Sequence, residues 1–164
     1  MTDHQALLKP LQSQLEEELR LTRQFLSVLQ EEAQVLETGQ PEDLTRTISR
    51  KEAIAQALHL ATLERATLLE MQGLPNNLQG LRMSANRLPD LPELVETLGV
   101  LSDQARRLNE QNGAIINTLL NNTQRMMAAL QTLSGTNTVY DASGKKKATP
   151  VAADIPRLKP LKAG

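Results

Sequence analysis

The stretch LPELVETLGVLSDQARRLNEQNGAIINTLLNNTQRMMAALQTL, residues 91–133, decides the fold. Leu94, Leu98, Leu101, Ala105, Leu108, Ile115, Leu119, Met126 and Leu133 follow one another in sums of three and four, with Asn112 taking one place in the series. That spacing is the mark of an amphipathic helix. Asp90 suits its N-cap and Pro92 its first turn. Roughly 40 residues of helix give a rod of about 60 Å.

Upstream, the pattern predicts a first helix from about Pro10 to Glu37, with Leu11, Leu15, Leu19, Leu26, Leu29 and Leu36 on its stripe. Pro10 is best tolerated in a first turn, so a start near Asp3 would imply a kink. Gly39 and Pro41 stop this helix, and a second restarts near Pro41 and runs to about Gln72. Its stripe is Leu44, Ile48, Ile54, Leu58, Ala61 and Leu68, with Glu42 and Asp43 favoured by the dipole of the first turn. A short loop between the two predicts an antiparallel hairpin. Hairpin helices of about 45 Å are shorter than the third helix, whose last two or three turns then have nothing in the hairpin to cover them. From Gly73 to Pro92 the Gly, Pro and Asn content reads as a linker (about 73–91), with a short helical turn around Leu78 to Ser84. From Ser134 on, Gly and Pro break regular structure. The expected fold is therefore all-α: an antiparallel helical hairpin plus a long third helix in an elongated coiled-coil-like bundle (1–133), with a disordered, flexible basic tail (134–164).

Composition supports helices and excludes several classes. There are 30 Leu among 164 residues, no Cys, no Trp, one Phe and one Tyr. A core this poor in aromatic and β-branched residues suits helices. Without Cys there is no disulfide, thiolate metal site or Cys nucleophile. Two His, His4 and His59, make no zinc or haem ligand set. Two aromatics make no stacking platform for single-stranded nucleic acid, and a net charge of −1 argues against bulk nucleic-acid or membrane-surface binding. No apolar run reaches 18 residues, and MTDHQALLKP lacks a secretory pattern, so the expected compartment is the cytoplasm.

Catalytic readings are poor, and the chain is expected not to be an enzyme. Phosphotransfer from a helical-bundle histidine would want Lys and Gly close behind it; His59-Leu60-Ala61-Thr62-Leu63 has neither. Glu16-Glu17-Glu18 and Glu31-Glu32 point in different directions on a helix, so they read as solvated faces rather than a metal site. Lys145-Lys146-Lys147 reads as part of a solubilising tail. The tail holds six basic and two acidic residues, and the first 133 hold 12 basic and 17 acidic.

The third helix is more informative. A buried Asn112 on its seam would fix register at some cost in stability. Gly113, in mid-helix, marks either close packing or a mild kink, or else a soft point. Beyond it Ile115, Ile116, Leu119, Leu120, Met126, Met127, Leu130 and Leu133 form a broad apolar face with Arg125 as its only charged neighbour. Such a face is core, a dimer interface or a groove for another protein's helix. Periodicity alone favours core or self-association, although paired Met suits adaptable recognition.

The order of motifs resembles a known family. Leu36-Glu37-Thr38-Gly39-Gln40, Leu44 and Lys51-Glu52 in a Leu-rich hairpin are followed by Leu108-Asn109-Glu110-Gln111-Asn112-Gly113-Ala114-Ile115-Ile116 and then Val139-Tyr140-Asp141-Ala142-Ser143-Gly144. Over roughly residues 5–144 this is similar to the FlgN family of flagellar type III export chaperones. The resemblance implies a cytoplasmic protein, without catalytic residue, cofactor or metal, that binds the hook-associated subunits FlgK and FlgL. It would keep them from premature polymerisation and deliver them to the export gate. It assigns the subunit grip to Ile115–Leu133 and docking on the gate protein FlhA to Tyr140. The competing expectation is a structural coiled-coil adaptor that self-associates as a homodimer.

Overall fold

The computed structural model describes residues 4–134, 138–140 and 146–148, with side-chain environments for residues 6–134. Four helices follow in order: α1 His4–Thr38, α2 Pro41–Glu70, α3 Leu78–Ala85 and α4 Leu91–Ser134. Thr138–Tyr140 (β1) and Lys146–Ala148 (β2) form an antiparallel pair with Tyr140 opposite Lys146. The chain divides into two compact units, Met1–Ile116 and Asn117–Gly164. The division falls inside α4, where the sequence reading set it at 133/134.

In the first unit α1 and α2 form the expected antiparallel hairpin. Gly39 adopts φ +71°, the left-handed conformation that ends a helix, and its N–H donates to the Val35 carbonyl at 2.9 Å. Pro41 opens α2 at a position where no N–H is needed. Bonds across the hairpin run in opposite senses along the two helices. The Gln14 amide donates to the Ala61 carbonyl at 2.8 Å near one end, and Lys51 Nζ donates to Glu32 Oε1 at 2.6 Å near the other. Helix α4 runs parallel to α1: Leu91, Val95 and Leu98 share a core with Leu11, Leu15 and Leu19, and further on Asn112 reaches Leu29 and Glu32.

Two expectations are revised here. Helix α1 begins by His4, so Pro10 lies inside it rather than in its first turn. Leu8 is buried, and that burial offsets the backbone hydrogen bond that Pro10 cannot make. The 73–91 segment is more than a linker. Leu81, Ala85 and Leu91 are part of the core beside Leu69. Gly73 turns the chain at φ +69°, and the Asn77 side chain caps α3 by accepting from Gly80 N at 2.9 Å. Buried Ser84 donates to Gln72 Oε1 at 2.7 Å and ties α3 to the end of α2. The strand pair is a third difference, because the tail was expected to hold no regular element. Thr138, Val139 and Tyr140 are strand-favouring types. The other expectations for the tail lie outside the described residues.

Gly80 is the tightest point of the α2–α3 connection: a Cβ there would lie 1.9 Å from the Pro75 carbonyl oxygen. Gly80→Ala must move backbone, and a loss of roughly 1–3 kcal/mol is expected from such overpacking. Urea unfolding of the two proteins measures it; unchanged stability would mean that the 73–77 turn is free to give way.

Candidate functional site

Two acidic side chains expected at the surface are buried in the first unit. Glu18 is 3% exposed and Glu32 is fully buried. Neighbours within each Glu cluster do point apart, as helical geometry requires: Glu16 and Glu17 face water while Glu18 turns inward. Each inward carboxylate meets a cation from α2. Glu32 accepts from Lys51 Nζ through Oε1 and from Asn112 Nδ2 through Oε2, the latter at 2.8 Å. The same Asn112 nitrogen donates to the Leu29 carbonyl at 2.8 Å. Asn112 thus spends both amide hydrogens on α1, and one carboxylate holds α1, α2 and α4 together. That is the register role expected of a buried Asn on the seam.

Glu18 pairs with Arg65 through Oε2, while its Oε1 is buried without a hydrogen-bond partner. Burial pushes this carboxyl above the ordinary value, and the Arg65 charge opposes the push.

Helix α4 changes character after this clasp. Stepping by sevens, Leu91, Leu98, Ala105 and Asn112 are buried, whereas Leu119, Met126 and Leu133 are exposed. Ile115 is 42% exposed and Leu133 84%, and Leu120, Met127 and Leu130 fall between them. Ile116 is half-buried. From Asn117 to Ser134 every residue is exposed except half-buried Gln131. The core reading of this segment therefore does not hold among the described residues. At 100° per residue, Ile115, Ile116, Leu119, Leu120, Met126, Met127, Leu130 and Leu133 occupy an arc of about 140°. Thr123 sits in the same arc, and its hydroxyl is spent on the Leu119 carbonyl at 2.9 Å. The structure brings all eight sequence-predicted residues onto one face.

Other exposed apolar side chains, such as Leu60, Leu63, Met83 and Val100, are spread over three helices. Scattered exposure of that kind is ordinary, whereas a continuous apolar face is not. Gly113 lies between the clasp and the exposed face. Nothing comes within 4 Å of a Cβ placed on it, so close packing does not explain it. The helix runs through it without interruption. His59 is exposed on α2. Tyr140 lies in β1 by its backbone, and its side chain is outside the described residues. Among the described residues no group of acidic or His side chains is placed to hold a metal, and no helix is long and apolar enough to cross a membrane.

The fold of the first unit and the exposed face define a helical-bundle protein with an exposed apolar helix surface. The FlgN protein family profile matches residues 1–148. The crystal structure of a flagella synthesis protein FlgN from Pseudomonas aeruginosa is similar, with a TM-score of 0.60 at 28% identity over 66% of this chain and 87% of that one. No curated protein sequence matches the chain. The chain belongs to the FlgN family, and its role is a flagellar one. The resemblance carried by the hairpin motif, Asn109–Ile116 and the Tyr140 segment is therefore the right one. It also gains a physical content: Lys51 and Asn112, both within those motifs, are the partners of Glu32.

Two outcomes follow from the buried polar groups. Asn112→Ala leaves the Leu29 carbonyl and one Glu32 oxygen short of a donor, and a loss of roughly 1–3 kcal/mol in unfolding free energy is expected. A change within error of zero would show that the clasp adds nothing to stability. Glu18, with its folded pKa above the ordinary 4.5, favours the folded state fully below that value, and the contribution is lost as pH rises through the raised value. The stability of the wild type relative to Glu18→Gln should fall as pH rises above 4.5. A pH-independent difference between the two would contradict the raised value.

Proposed function

We propose that this FlgN-family protein is a cytoplasmic flagellar export chaperone for hook-associated subunits of the FlgK and FlgL type. The observation that carries the reading is the continuous apolar face from Ile115 to Leu133, exposed on a helix and bordered by polar uncharged residues. A chaperone of this kind covers an aggregation-prone helix of its client, and covering one amphipathic helix takes an apolar face on another. Met126 and Met127 suit a surface that must accept more than one subunit, because Met side chains repack readily. The clasp at Glu32 supports the same reading, since it anchors α4 to the hairpin just before the face begins. Delivery to the export gate is assigned to Tyr140 through docking on FlhA, as the resemblance implies. The rival reading, a coiled-coil adaptor, would use the same face to join two copies of the chain.

Leu119→Asp and Leu130→Asp place a charge in the middle of the face without touching the hairpin. Both variants should keep the helical circular dichroism of the wild type and bind FlgK-type and FlgL-type subunits at least about tenfold more weakly, a change of about 1.4 kcal/mol. Unchanged affinity in both would remove the grip from this face. Tyr140→Ala should keep subunit binding and lose binding to FlhA; loss of subunit binding instead would contradict the division of labour. Sedimentation of the free chain separates the rival, which requires a dimer that the two Asp variants abolish.

A further inference from the structure

The border of the exposed face says what kind of helix it takes. Between Glu110 and Asp141 the sequence carries a single charged residue, Arg125. At 100° per residue Arg125 falls about 150° from the middle of the apolar arc, on the far side of the helix. The positions flanking the arc are Asn122 and Ala129 on one side and Gln131, Gln124 and Asn117 on the other. In paired helices these flanks normally carry Glu and Lys, whose ion pairs choose the partner and its orientation. Here four of these five carry amides and the fifth is Ala129, so none is charged. The first half of α4 is different, with Asp103, Arg106, Arg107 and Glu110 joined in exposed ion pairs. The loss of charge is therefore a property of the exposed face, not of the helix.

We infer that the occupant of the Ile115–Leu133 face is an amphipathic helix whose own flanking positions are uncharged, bearing Asn, Gln, Ser or Thr, and that it is held without ion pairs. The inference rests on the chaperone reading and narrows its partner chemistry. A partner helix with Lys or Glu at its flanks would bring those charges against amides with no counter-charge, and their desolvation would go uncompensated. Uncharged flanks instead meet Asn and Gln, which both donate and accept, so they tolerate small shifts in register. An anionic lipid surface is disfavoured on the same ground, because interfacial helices of that type border their apolar face with Lys and Arg. With no ion pair in the contact there is little for salt to screen, so affinity should be nearly independent of ionic strength.

The test uses the full chain and three blocked peptides of matched helicity, cross-linked on the water-facing side. They share one Leu-rich apolar face and carry Gln and Ser, Lys, or Glu at the flanking positions. The Gln/Ser peptide should bind at least about tenfold more tightly than either charged peptide. Its dissociation constant should change less than about twofold between about 50 and about 500 mM sodium chloride, and binding should be lost in Leu119→Asp. A charged peptide that binds equally well or better overturns the inference, as does failure of the Gln/Ser peptide to bind. Self-association of the full chain that excludes the peptides also overturns it and makes the occupant a second copy. The hook-associated subunits themselves separate this inference from the reading beneath it. Subunit binding unaffected by Leu119→Asp contradicts the chaperone placement. Subunit binding that is lost in that variant but falls about tenfold or more with salt contradicts only the uncharged contact.

Discussion

A single buried carboxylate holds the bundle in register. Glu32 receives Lys51 from α2 and Asn112 from α4. Leucine stripes attract helices to one another but do not say how far one slides along the next, because Leu against Leu is nearly as favourable one turn away. A buried charge is not so tolerant. Sliding α4 by a turn would strip Glu32 of Asn112 and leave a buried carboxylate oxygen short of a donor, which costs roughly 1–3 kcal/mol. The clasp therefore makes the parallel packing of α4 on α1 specific. It also sets where the covered part of α4 ends, since the next residue of that heptad series, Leu119, is exposed.

Burying Glu18 and Glu32 is expensive, and Glu18 shows the cost in an oxygen without a partner and a raised pKa. Well-packed apolar residues at these positions would often be as stable or more so. What the polar contacts add is a defined alignment of three helices, the use for which buried polar groups on helical seams are best attested. If the second half of α4 is the surface that takes a subunit, as proposed, alignment is worth that expense.

Much of this was legible in the residues and some was not. The Leu11, Leu15 and Leu29 positions, the Gly39–Pro41 turn and the buried Asn112 follow from periodicity and turn chemistry, and they stand where the sequence puts them. The burial of Glu18 and Glu32 was not legible, because their cations lie 47 and 19 residues away in sequence and only the hairpin brings them near. The 73–91 segment looks like a linker because its Gly, Pro and Asn are needed for turns, while Leu81, Ala85 and Leu91 between them do core work. The exposure of Met126 and Leu133 follows from helix lengths, since the third helix outruns the hairpin, but what covers the face was hidden for a deeper reason. A stripe that is covered and a stripe that awaits its cover have the same period, so periodicity names the face without naming its occupant.

The central claim is that the face from Ile115 to Leu133 is covered by a hook-associated subunit. Hydrogen exchange of the full chain, alone and with a FlgK-type subunit, tests it most directly. Isolated helical turns without tertiary cover are only marginally stable, so backbone amides after Gly113 should exchange quickly in the free protein. With the subunit present, protection should appear from about residue 115 to 133, and the α1–α2 hairpin should be unchanged. Protection that appears on the hairpin instead, with 115–133 exchanging as before, would contradict the account.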